Sequence, residues 1–186
     1  MKRFVFSVST VFLGLFFLMS LATTVSADTK KFQASLTPEV ALYEKDVKIE
    51  GLSLNIWGEN PQRGVALGIV SGSTGESAGF SWSYLMNYAD SYKGVHWGLA
   101  NYTREDFVGW QSGLGNYTSQ NFKGLQTGAF NYAGSMKGLQ WGLINYAGTV
   151  DSGVQLGLAN IIADSPWFKD FPQSVAPAMV FLNWSF

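Results

Sequence analysis

The sequence predicts an all-β chain, an antiparallel up-and-down outer-membrane-type β-barrel of about 8–10 strands. Three observations lead there: a repeat of about fifteen residues, apolar alternation inside each copy, and strand cores without charge. A β-solenoid of stacked 15-residue repeats is the alternative that the same observations allow.

The repeat comes first. Gly94-Val95-His96-Trp97-Gly98-Leu99-Ala100-Asn101-Tyr102 and Gly138-Leu139-Gln140-Trp141-Gly142-Leu143-Ile144-Asn145-Tyr146 are copies of one unit. Gly109 to Tyr117, Gly124 to Tyr132 and Gly153 to Ile161 are further copies, and degenerate ones begin at Gly51, Gly64 and Gly79. From Gly79 to Gly153 the starts are fifteen residues apart, except for one step of fourteen. Ala176 to Trp184 reads as a worn ninth copy, so the repeats span about 51–163, with a C-terminal strand at 178–186. Such fixed self-similarity marks a repeat architecture.

Numbered from the first glycine, positions two, four and six carry Val95, Trp97 and Leu99, or Leu139, Trp141 and Leu143. Positions one, three and five carry Gly, then Gln or His, then Gly. Period-two alternation of this kind makes a strand with two unlike faces. The connectors, such as Thr103-Arg104-Glu105-Asp106 and Ser71-Gly72-Ser73-Thr74-Gly75, read as polar turns.

From Gly64 onward the nine-residue cores contain no Asp, Glu, Lys or Arg, and neither does Met179 to Phe186. A soluble sheet tolerates lysine on its wet face. A lipid-facing strand does not, because a basic residue at the bilayer midplane costs about 2–4 kcal/mol. A nine-residue core also matches the length of a tilted spanning strand.

The two architectures assign the faces differently. In a barrel, Leu/Trp/Leu meets lipid, the Gly/Gln/Gly face fills a narrow lumen, and the Asn-Tyr pairs lie at the rims. In a solenoid, Leu/Trp/Leu becomes a dry core while Gln and Asn form ladders. His96, Gln111, Gln126, Gln140 and Gln155, with Asn101, Asn116, Asn131, Asn145 and Asn160, are therefore the lumen or ladder positions. The asparagine at position eight shares parity with the apolar face, which is awkward in lipid.

The ends set the expected location. Lys2 and Arg3, the apolar run Phe4 to Leu21 and the small residues Val25-Ser26-Ala27 form a signal peptide at 1–27, leaving one β-repeat domain at 28–186. A retained N-terminal anchor is the other reading of that run. At the other end, Leu182, Trp184 and Phe186 alternate up to a terminal aromatic, which is similar to the targeting signal of outer-membrane barrels. The expected setting is the cell outer membrane, or else the periplasm or cell surface. The expected partners are membrane lipid and the barrel-assembly machinery engaging the C-terminal strand.

The motif Gly-Leu-Gln-x-Gly-Leu-x-Asn, best seen at Gly138 to Asn145 and Gly153 to Asn160, resembles an uncharacterised bacterial surface-repeat family. Ile49 to Asn60 and Phe181 to Phe186 are similar to the same family. The resemblance implies export and a surface or outer-membrane setting, and no activity.

Composition limits the chemistry. With no cysteine there is no disulfide, thiol chemistry or lipidated N-terminal cysteine. Without Lys2 and Arg3 the chain has ten basic and thirteen acidic residues, a net charge near −3 that does not suggest nucleic acid. His96 is the single histidine and takes the place of a glutamine, so a metal site or histidine relay is not expected. Glu59, Glu76, Asp90 and Glu105 fall in different turns and read as solvated. No cofactor and no catalysis are expected. Trp167, Phe168 and Phe171, between Pro166 and Pro172, read as a packed loop or an interfacial knob.

Overall fold

The computed structural model describes residues 29–186. The expected signal peptide lies outside them. Among the described residues, seven strands form one sheet in the order β2-β1-β3-β4-β5-β6-β7. They are β1 (Thr29–Thr37), β2 (Val40–Ala41), β3 (Lys48–Asn60), β4 (Arg63–Thr103), β5 (Phe107–Ser112), β6 (Gly115–Ile162) and β7 (Ala178–Ser185). No helix among them is long and apolar enough to cross a membrane.

The all-β expectation is met, and the chain is a β-solenoid, not a barrel. β3 pairs parallel with β1 and β4, and β5 pairs parallel with β4 and β6. Their registers set like on like: Gly94 opposite Gly109 opposite Gly124, and Gln111 opposite Gln126. An antiparallel hairpin series would reverse each neighbour. β4 and β6 run for 41 and 48 residues, far beyond the usual strand of about 3–10 residues. Each is several coils that remain extended around their bends.

What forces the coil is visible in the burial. The segments read as polar turns carry Tyr92, Phe107, Phe122 and Met136 at position fourteen or its equivalent, each at most 2% exposed. They pack with Ala89, Ala133 and Ala147 as one apolar cluster. Tyr92, Phe107 and Phe122 stack with centroids about 6 Å apart. The connector is thus a further strand-like run with an inner face, which encloses the interior that one strand per repeat could not.

The inside–outside alternation breaks where the coil bends. Residues on both sides of the position-one glycine point outward, as do positions six and seven, seen in Leu143 and Ile144. Over 104–106 three consecutive residues are exposed. The bend between six and seven resolves the parity anomaly, turning the asparagine at eight inward and the tyrosine at nine outward. At position one, the glycines from Gly64 through Gly138 hold φ between 131° and 141°.

Two antiparallel elements close the ends. β2 folds back on β1, and β7 runs against the last coil with Asn183 opposite Gln155 and Leu182 opposite Leu156. The worn ninth copy is therefore a reversed cap and not another coil.

Candidate functional site

The solenoid reading had placed Leu/Trp/Leu in a dry core. The structure inverts this. Trp97, Leu99, Trp141, Leu143 and Leu158 are 48–62% exposed, while Gln111, Gln126, Gln140 and Gln155 are fully buried. The asparagines Asn101, Asn116, Asn131, Asn145 and Asn160 are at most 3% exposed. The physical reason is that stacked amides satisfy one another along the axis, so an interior of Gln and Asn leaves few orphan polar groups.

The asparagine ladder is continuous. Asn101 donates to Asn116, Asn116 to Asn131, Asn131 to Asn145 and Asn145 to Asn160, each Nδ2 to Oδ1 at 2.8 Å. The second proton of the same amides goes to backbone carbonyls of Ser112, Thr127, Trp141 and Leu156. Glycine at position five makes room for this. A Cβ on Gly142 would lie 2.5 Å from Nδ2 of Asn131, and one on Gly128 would lie 2.8 Å from Nδ2 of Asn116. Asn87 extends the ladder by donating to Asn101 at 2.9 Å and accepting from Ser81. It was missed because it stands at position nine of its copy, although its Asn-Tyr pair is present in the sequence.

The glutamine ladder runs the other way. Gln126 donates to Gln111, Gln140 to Gln126 and Gln155 to Gln140 at 2.7–2.8 Å. Thr118 and Thr103 close its lower end around Gln111. His96 takes the next rung and ends it. The ring is fully buried between Tyr92 and Phe107, and neither ring nitrogen has a hydrogen-bond partner among the described residues.

Burial drives the His96 pKa down from 6.5 to about 3. Between those values the unfolded chain binds a proton that the folded chain refuses, so stability is lost as pH falls below about 6.5. The expected loss at pH 5 is roughly 2 kcal/mol. His96→Gln removes this slope, and it should add about 1 kcal/mol at neutral pH by accepting from the Gln111 amide. Urea titrations of both proteins at pH 7.5 and 5 check this. Equal pH dependence in the two would refute it.

Three of the carboxylates read as isolated in separate turns, Glu59, Asp90 and Glu105, are tethered across coils. Asp90 pairs with Arg104 at 3.2 Å and accepts the Gly75 N–H. Ser91 donates to Glu105. Tyr88 donates to Glu59 at 2.7 Å, and its hydroxyl is pushed up to about 12 by burial and by that carboxylate. Among the described residues no group of three or more His, Cys, Asp or Glu is placed to hold a metal.

Outside, positions two, four and six form an apolar face running the length of the coil. It starts at Phe32 and Leu36 and continues through Leu54, Ile56, Trp82, Trp97, Leu99, Trp110, Trp141, Leu143 and Leu158. At the far end, Val180 and Leu182 of β7 extend it, with Trp184 opposite Val154. Leu182, Trp184 and Phe186 thus belong to this outer face and its edge. Trp167, Phe168 and Phe171 are 56–60% exposed beside the same end.

Around the bend, Tyr102, Tyr117, Tyr132 and Tyr146 stack at 4.4–5.4 Å. They border a groove of about 550 Å³ with Ala100 and Gly115 between Met86, Phe130 and Ile144. The rings cover one another's faces, so the ladder turns edges and hydroxyls to the outside.

No family model, curated protein or solved structure compared with the chain matches it.

Proposed function

We propose that this chain is an exported, non-catalytic β-repeat module that acts at the cell surface or in the periplasm through its outward apolar face. The observation that carries the reading is the face itself. Successive coils lie about 4.8 Å apart and positions two to six span about 13 Å, so the patch is on the order of 600 Å². That is the top of the range for the largest apolar patch on a soluble monomer, and patches of that size mark interaction surfaces. The interior is filled by amide ladders and aromatic rings, which does not suit a pore. The one histidine is sealed in that interior, which favours a binding role over catalysis.

Phase partitioning in a clouding detergent tests this. The purified protein should enter the detergent phase. Trp141→Gln with Leu143→Asn should move it towards the aqueous phase without lowering its melting temperature, since both side chains are more than half exposed. A parent protein that stays in the aqueous phase would overturn the reading.

A further inference from the structure

The long border of the apolar face next to position two is basic. The residues that immediately precede the position-one glycines from Gly64 to Gly153 are Arg63, Ala78, Lys93, Val108, Lys123, Lys137 and Ser152. Four are cations and none is an acid. Parallel register sets Lys93 beside Val108 and Val108 beside Lys123, which makes them a row and not scattered charges. All four cations are exposed. The acid that precedes Gly51, Glu50, is held by Lys48 at 2.9 Å and Lys31 at 3.6 Å. Glu76 and Asp106, each three residues before a position-one glycine, line one hollow together with Arg63 and Lys93. Asp151, beside Ser152, is the exposed acid nearest the far end of the row.

We infer that this face is a docking surface for an anionic lipid bilayer, with the Leu/Trp rows entering the headgroup–acyl boundary and the cation row meeting the lipid phosphates. The inference rests on the contact-face reading above and names its partner. Three features favour a planar bilayer. The face runs along the whole coil, with Ser112 and Thr127 the polar residues at position four, so it complements an extended surface better than a single pocket. Trp82, Trp97, Trp110 and Trp141 present amphipathic rings of the type that prefers the membrane–water interface. The cations lie along the border and none lies within the face, which lets them reach headgroups while the apolar side chains are buried.

Flotation with phosphatidylcholine vesicles, alone or with a minority of phosphatidylglycerol, tests it. The protein should float with the anionic vesicles and far less with the neutral ones, and high salt should weaken the association. Lys93→Gln, Lys123→Gln and Lys137→Gln together should weaken anionic binding about 100-fold, each cation near such a surface contributing about a five-fold factor. Acyl-chain bromine should quench tryptophan emission in the parent, and less in Trp141→Gln. Unchanged melting temperatures confirm that the variants fold.

Equal binding to both vesicles, unaffected by the lysine changes, overturns the inference. So does a sedimenting dimer that Trp141→Gln dissolves and that ignores vesicles, because the face would then be occupied by a second copy. Detergent-phase partitioning without vesicle binding removes the lipid while leaving the contact-face reading intact. Aqueous partitioning removes both.

Discussion

Replacing Gly124 by alanine should destabilise the protein by about 4 kcal/mol or more, placing it in the exceptional class of single substitutions. Two costs coincide there. The residue has φ of +139°, a region that an L side chain rarely adopts. Its Cβ would also fall 1.9 Å from the carbonyl oxygen of Gly109, an atom of backbone that cannot swing away. Gly109 is built the same way on Gly94, and Gly94 on Gly79, so relief in one coil strains the next. Gly115→Ala is the matched control, because nothing lies within 4 Å of its added Cβ and its φ is ordinary. That change should be neutral or stabilising by about 0.4–1 kcal/mol, through reduced freedom of the unfolded chain. Thermal melts should separate the two alanines by roughly 10 °C or more for a domain of this size. Similar melting temperatures would show that the glycine column does not set the stacking.

The contrast between these glycines indicates how much of the fold the sequence made legible. The repeat, the special status of position one and the in–out pattern over positions one to six were all readable. Strand direction was not, because alternation reports which way side chains point and carries no information about the neighbour's polarity. Two details did bear on it. Tyr92, Phe107, Phe122 and Met136 recur at one place in supposedly polar connectors, where a hairpin turn has no use for a large apolar residue. The asparagine at eight also falls on apolar parity, which signals a bend between six and seven. Together they describe a coil with an enclosed interior. Which face that interior takes is harder to read, since hydrophobic-inside reasoning assigns Leu/Trp/Leu to the core. Only the stacking of identical amides, a property of neighbours in register, makes the opposite arrangement favourable. The continuous outer face followed from that inversion, so the candidate surface was legible as a pattern while its exposure, in a solenoid, was not.

Asn131 gives the strongest test of that amide interior. Its Nδ2 donates to Asn145 Oδ1 and to the Trp141 carbonyl, and its Oδ1 accepts from Asn116. Leucine has the same branched outline and none of these groups, so Asn131→Leu should cost roughly 3–5 kcal/mol or more, several buried partners losing a bond at about 1–3 kcal/mol each. Lost packing does not explain such a cost, but overpacking contributes to it, because the leucine methyls are bulkier than the amide they replace. Asn131→Asp separates the remaining possibilities. At neutral pH its carboxylate would face the Asn145 oxygen and the Trp141 carbonyl, two acceptors, inside a buried site, and should destabilise more than leucine does. Burial and those acceptors raise the pKa of an introduced acid. Once protonated it regains one donor, so its deficit relative to the parent at the same pH should shrink as the solution is acidified. The comparison at matched pH cancels the His96 contribution, which is common to both proteins. A deficit that is unchanged on acidification, or a leucine variant as stable as the parent, would mean that the ladder follows from the stacking and does not help to hold it.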